Sequence, residues 1–402
     1  MTELYYPCDS LREGNWFKLI CGASFQHLPA VRHLTLAYTL AGADCIDVAA
    51  DPAVIAAAKD ALAVASLLGN AAQARGFGYR RQPLLMVSLN DGEDPHFRKA
   101  EFNPTLCPAD CPRPCEKICP AEAITFSEAS NGFSGVIDQR CYGCGRCIPI
   151  CPNQLIYTRS YVSAPSRVAE LIVEAGVDAL EIHTKVGHFA DFKRLWCAIA
   201  PWVNRLKLLA ISCPDGEGLI EYLWSLYQLI SPLPCLNVWQ TDGRPMSGDI
   251  GPGATRAAVK LAQKVQDAGL PGYIQLAGGT NHHTVAKLKA LGLLKESDKS
   301  KEEVYLTSDS RSDSSHYKSI SSQPYVAGVA YGSYARVLLS PILNELEKFK
   351  EEAVEANLAS PPSPALSQLE AIPELLWQAV ASADGLVSQL KSPKSEGCQH
   401  AI

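Results

Sequence analysis

No stretch of this 402-residue chain approaches the roughly 18 uninterrupted apolar residues of a membrane span. Residues 1–15 are polar and lack the apolar core of a secretory signal. Cationic charge is also short: 36 Lys and Arg stand against 42 Asp and Glu, giving a formal net charge of -6 and a pI near 5.9. Nothing in that balance suggests a polyanion-binding surface, so nucleic acid is not an expected partner. Charged residues make up only 19% and hydrophobic ones 47%, enough to bury one large domain and a small one. With no export signal and no span, the expected location is the cytoplasm. There a dense set of cysteines points to metal binding before disulfides.

Cysteine is what the chain has in excess. Of 15, eight fall between Cys107 and Cys151. The second half of this block reads Cys141-Tyr-Gly-Cys144-Gly-Arg-Cys147-Ile-Pro-Ile-Cys151-Pro152. This is the C-x2-C-x2-C-x3-C-P run of bacterial [4Fe–4S] ferredoxins. A tight loop carries three thiolates to three corners of one cube, and Gly143 and Gly145 permit the turn. The fourth cysteine lies beyond the loop and serves the other cluster. The first half, Cys107-x3-Cys111-x3-Cys115-x3-Cys119-Pro120, is a stretched version stiffened by Pro108, Pro112 and Pro114. Crossed ligation assigns one cluster to Cys107, Cys111, Cys115 and Cys151, and the other to Cys119, Cys141, Cys144 and Cys147. The alternatives are zinc, which does not explain the run, and a mononuclear or structural first site. Two cubanes in one small module form an electron-transfer wire, which ends in redox partner proteins or in a sensor.

Around this block, short apolar runs alternate with helical patterns. Strands are expected at 17–23, 45–49, 84–89, 179–183, 206–212, 236–240, 273–276 and 325–330. Helices are expected at 28–41, 52–68, 166–175, 189–199, 219–229, 254–267, 283–291 and 334–350. Eight strands buried on both faces, each followed by a helix, predict a TIM-like (β/α)8 barrel, with a doubly wound open sheet as the alternative. Ala-Gly pairs at 41–42, 175–176 and 268–269 read as helix ends. The expected domains are a first barrel half at 1–90, a two-cluster ferredoxin-like insert after the third strand at 91–160, and a second barrel half at 161–356. A polar, mobile loop is expected at 295–323. Residues 357–402 read as a Pro-rich linker, an amphipathic helix that packs back on the barrel or serves a partner, and a polar tail with Cys398.

Barrel active sites lie at the C-terminal strand ends, the face on which the insert falls. Strand-end candidates are Cys21, Asp47, Asn90, His183, Lys185, Cys213, Gln240 and Asp242. His183 and Lys185 are either an acid and a cation over a ligand or ordinary hydrogen-bonded groups, and Cys21 and Cys213 are expected to be plain buried cysteines. His282-His283 is expected to start a surface helix. Gly278, Gly279, Gly332 and Ser333, with Arg336, resemble the phosphate cradle found after the last two strands of such barrels. Flavin mononucleotide or another phosphate-bearing ligand would suit it, although glycines also serve simply to make tight turns. No catalytic residue is assigned.

The stretches WFKLICGASFQHLP, CPADCPRPCEKICP, CYGCGRCIPICPNQLIYTR, VDALEIHT, LLAISCPDGEGLIEYLW and QTDGRPMSGDIG resemble the cyanobacterial light-dependent period protein family. The resemblance spans about residues 10–350 and leaves out the loop at 295–323 and the tail after Pro361. It implies an iron–sulfur protein that relays the cell's redox or light state to circadian clock input proteins, with the eight cysteines as ligands. An iron–sulfur flavin-type oxidoreductase acting at the barrel mouth is the competing expectation.

Overall fold

The computed structural model describes residues 6–126, 134–244, 251, 253–295, 325–356 and 368–391. Eight parallel strands close into a barrel: β1 Trp16–Ile20, β2 Cys45–Ala49, β3 Leu84–Asn90, β4 Ala179–His183, β5 Leu208–Pro214, β6 Leu236–Asp242, β7 Tyr273–Ala277 and β8 Gly328–Tyr331. Each strand pairs with its neighbours in chain order, and β8 returns to β1 through Trp16↔Gly328 and Phe17↔Val329. The closed sheet settles the choice between barrel and open sheet.

The helices form because apolar residues recur on one face and local signals close the ends. Pro52–Ala74 starts with Asp51, whose carboxylate accepts from the Ala53 and Val54 amides at 2.8 and 3.3 Å, and with Pro52 in the first turn. It is long and apolar enough to cross a membrane, but Val54, Ile55, Ala58, Ala61, Leu62 and Ala65 are buried within the protein. Gly42, Gly176 and Gly269 adopt left-handed conformations after their helices, as the Ala-Gly pairs predict. The helix expected at 166–175 differs. It is a 3-10 turn at Pro165–Arg167 followed by a π turn at Glu170–Glu174, a compressed link between the insert and β4.

The lower end of the barrel is closed. Leu11 of helix Tyr6–Glu13 packs with Trp16, Cys45, Met86, Ala179, Ala210, Val238 and Tyr273 in an apolar layer. One step up each strand the lumen turns polar, with Lys18, Asp47, Ser88, Glu181, Ser212 and Gln240 all buried. Between β3 and β4 the chain leaves the barrel. Two short antiparallel pairs, Arg98–Glu101 with Tyr157–Ser160 and Ile124–Thr125 with Gly135–Val136, frame the cysteine block. Helix Pro373–Val387 packs on helices Leu28–Ala41 and Ser333–Ala356, the packing-back alternative of the two expected for it. The linker at 360–364, the loop expected at 295–323 beyond Lys295, and Cys398 lie outside the described residues.

Candidate functional site: two thiol groups and the barrel mouth

The insert has a small core of its own, made by Ala100, Phe102, Cys115, Ala123, Ile124, Phe126, Cys141, Cys147 and Ile156. Its eight cysteines fall into two groups. Burial, then the neighbouring thiols Cys144, Cys141 and Cys119, push the Cys147 thiol up to about 12. Burial likewise raises Cys119, with Cys144 and Cys141 adding to it, and these four line one cavity. In the other group, burial raises Cys115, with Cys151 and Cys107 adding. Cys107 is raised by what burial it has, then by Cys111 and Cys151. A cation shared by such a group would relieve that opposition and expel the thiol protons.

The backbone around them fits sulfur ligands. The Ala123 amide donates to Cys119 Sγ at 3.2 Å, Ala100 to Cys141 Sγ at 3.3 Å and Leu155 to Cys151 Sγ at 3.4 Å. Gly143 sits at φ +70, and a Cβ there would lie 2.2 Å from the Arg98 carbonyl oxygen, so no side chain fits. The insert is pinned to the barrel by Lys99, whose ammonium donates to Gln26 Oε1 and to the Asp138 carbonyl, both at 2.7 Å. Tyr142 faces both ways. It lines the Cys119–Cys147 cavity and the barrel mouth, stacks beneath the Arg336 guanidinium at 4.0 Å and meets Phe25 edge-on at 5.7 Å.

The mouth encloses about 610 Å³ of space, part of it open to solvent. Its floor is a buried polar network. Lys18 donates to Glu181 and to Gln240 Oε1 at 3.0 Å and pairs with Asp47 at 3.1 Å. Since β1, β4 and β6 are not neighbours in the sheet, these contacts cross the lumen. Burial opposes the Lys18 charge, but Asp47 and Glu181 override it and raise its pKa. Burial likewise opposes the charge on Glu181, yet Lys18 and His183 hold it down to about 2. His183 Nε2 donates to Glu181 Oε1 at 2.8 Å, and its Nδ1 lies 3.8 Å from Asp94. Burial works against the imidazolium, while Glu181 and then Asp94 hold its pKa up to about 9.

All five residues of the expected cradle, Gly278, Gly279, Gly332, Ser333 and Arg336, line this mouth. A Cβ on Gly278 would meet the Arg244 backbone at 2.7 Å and one on Gly279 the Ala254 carbonyl oxygen at 2.9 Å. Packing against those loops therefore already requires both glycines. Arg336 is buried. It donates to the Ile20 and Cys21 carbonyls at 2.8 and 3.0 Å and to Ser333 Oγ at 2.9 Å, while its Nε has no partner among the described residues. Asp47, Gln240 and Asp242 join the lumen network, and Asn90 instead holds Ser163 at the exit of the insert. Lys185 turns outward to the Glu93 carbonyl at 3.3 Å. Cys21 and Cys213 are buried, as expected. His283 precedes helix Thr284–Ala290, and His282 binds the Tyr334 hydroxyl at 2.9 Å. Lys18, Glu181, Asp94 and His96 are the residues the sequence reading missed. A lone charge inside an apolar strand, as in WFKLI and ALEIH, is the signal for the first two.

Residues 107–162 match a family model described as an Fe–S cluster-binding domain, so the protein is an iron–sulfur protein built on a (β/α)8 barrel. Residues 171–389 match the model of the light dependent period A C-terminal domain. A curated relative from Synechococcus elongatus, "Light dependent period A", is 46% identical over 387 residues, covering 96% of this chain and 94% of its own. The chain belongs to the light dependent period A family.

Proposed function

We propose that residues 91–160 form a two-cluster, ferredoxin-like unit and that the protein senses or relays redox state through partners. In this reading Cys107, Cys111, Cys115 and Cys151 hold one [4Fe–4S] cluster, and Cys119, Cys141, Cys144 and Cys147 hold the other. The observation that supports it is that Cys119, Cys141, Cys144 and Cys147 line one cavity while Cys107, Cys111, Cys115 and Cys151 act on one another's thiols, so that each group includes the last cysteine of the other motif. Such clusters, when bound, exchange single electrons and form no bonds to substrate. The amides of Ala123, Ala100 and Leu155 would stabilise the more reduced, more negative sulfurs. Cys107 and Cys111 are half-exposed, which suits exchange with redox partner proteins at the surface. Cys141 and Cys147 are buried beside Tyr142 and the barrel, which suits a sensing role. The relative's name speaks of a light-dependent period; we extend that to this chain as input to circadian clock proteins in the cytoplasm.

Anaerobically purified protein should absorb broadly near 400 nm, bleach with dithionite and contain about eight irons and eight sulfides per chain. Four irons would remove the first cluster from this account, and zinc in their place would remove both. Cys144→Ser should abolish the paramagnetic signal of the second cluster and Cys151→Ser that of the first. An intact first-cluster signal in Cys151→Ser would refute the crossed pairing.

The mouth supports a second reading, an iron–sulfur flavin-type oxidoreductase. The unpartnered Arg336 Nε beside the start of helix Ser333–Ala356 suits an anion such as the phosphate of flavin mononucleotide. Calorimetry with flavin mononucleotide and with inorganic phosphate tests this on cluster-replete protein. Ser333→Glu should abolish binding without changing the cluster spectrum, whereas no binding to the unmutated protein leaves only the sensor reading.

A further inference from the structure

We propose that Asp94, His96 and His183 form a binding site for a divalent first-row transition ion at the barrel mouth, separate from the cysteine block. Asp94 and His96 lie in the turn that follows β3, and His183 ends β4. The fold thus joins two segments almost a hundred residues apart in sequence. One potential ligand atom from each lies within 4.8 Å of the other two. Donors bound at 2.0–2.2 Å to one ion lie at most about 4.4 Å apart, so small side-chain adjustments close the set.

Three features separate this group from an ordinary ion pair. First, the set is two imidazoles and one carboxylate, the donor combination that suits iron(II) or zinc and leaves coordination positions open. Those positions face the mouth cavity, which His96 and His183 both line. Second, His183 is already oriented as a ligand. Its Nε2 donates to Glu181 Oε1 at 2.8 Å, which leaves Nδ1 toward Asp94 at 3.8 Å. Glu181 is itself held by Lys18 and by Gln240 Nε2 at 2.6 Å. A carboxylate behind a histidine is the usual outer arrangement that fixes a metal-bound imidazole. Third, the site is rich in carboxylates. Asp47, Glu181, Asp94 and Asp242 are all buried at this end of the lumen, where Lys18 pairs with the first two and His183 faces Glu181 and Asp94. A divalent ion that replaces the proton on His183 Nδ1 brings these four carboxylates one further positive charge. His96 Nδ1, now 2.8 Å from Asp94 Oδ1, needs only to exchange that contact for the ion.

Zinc titrated calorimetrically into anaerobically purified, cluster-replete protein tests the site. One zinc ion should bind per chain, and magnesium, which prefers oxygen ligands, should not compete. His96→Gln and Asp94→Asn lie in a turn rather than a strand, and each should weaken zinc binding at least roughly tenfold. The visible spectrum of the clusters should stay unchanged in both. Zinc bound by displaced cysteines would alter that spectrum and survive both substitutions. Either that result, absence of zinc binding to the unmutated protein, or equal affinity for magnesium would overturn the proposal.

Discussion

Lys18 sits in the middle of an apolar strand and is wholly buried, yet it holds together three strands that are not neighbours. A buried ion pair stabilises little relative to a well-packed apolar replacement of the whole group, but removing one partner leaves its carboxylates uncompensated. Lys18→Met should therefore lower the unfolding free energy by about 3–5 kcal/mol, read from urea denaturation. A variant within about 1 kcal/mol of the parent would mean that water already solvates Asp47 and Glu181. At this scale the sequence was legible where spacing itself encodes chemistry. Cys141, Cys144, Cys147 and Cys151 stand out because the C-x2-C-x2-C-x3-C-P run admits few other uses, and Cys107, Cys111, Cys115 and Cys119 stand out as its stretched counterpart. Asp94 and His96 gave no such signal, since their meaning depends on His183, which only barrel closure brings near. The glycines at 278 and 279 suit either a ligand cradle or plain tight turns by sequence, and the backbone at Arg244 and Ala254 already requires them.

At the scale of elements, the Cys141–Cys147 loop tests how tightly conformation and ligand placement are linked. Gly143 combines a left-handed φ of +70 with a carbonyl oxygen 2.2 Å from any Cβ. Gly143→Ala must shift the loop or the strand Arg98–Glu101, and either shift displaces the thiols on both sides. About half of the iron should be lost while far-UV circular dichroism of the barrel stays that of the parent. Full iron content in this variant would show that the loop tolerates the strain. Strands were the most legible elements, because Val, Ile and Leu runs buried on both faces are short and bounded by turns. β2 and β4 match their expected ends. β8 begins at Gly328 rather than at 325, because Tyr325 turns out to cover Arg12 instead of pairing. The helix expected at 166–175 is present as a 3-10 turn and a π turn, kinds of helix that the apolar spacing of ELIVE does not tell apart.

Over the whole molecule, the C-terminal helix is part of the barrel wall. Leu375, Leu376, Ala379, Val380, Ala383 and Leu386 are buried, Trp377 stacks on Phe77 at 5.9 Å beneath Arg75, and Arg32 joins Glu370 to Asp60. Ending the chain at residue 367 should cost at least about 3 kcal/mol, from any two of its buried leucines alone, and lower the urea midpoint. Iron content should stay that of the parent, since the helix packs chiefly on Leu28–Ala41 and Ser333–Ala356. A midpoint equal to the parent's would make the helix a free appendage instead. The barrel itself was readable from eight alternating units, whereas its function was not, since a closed sheet serves many chemistries. The apolar layer of Trp16, Cys45, Met86 and Ala179 has one more consequence. Among the described residues it makes the lumen a cul-de-sac: whatever occupies the space above Lys18 enters by the mouth, whose rim Tyr142 of the insert shares with Gly22, His96 and Gly279. The insert is thus part of the door frame of the barrel, and a change at Tyr142 alters access to the lumen as well as the insert itself.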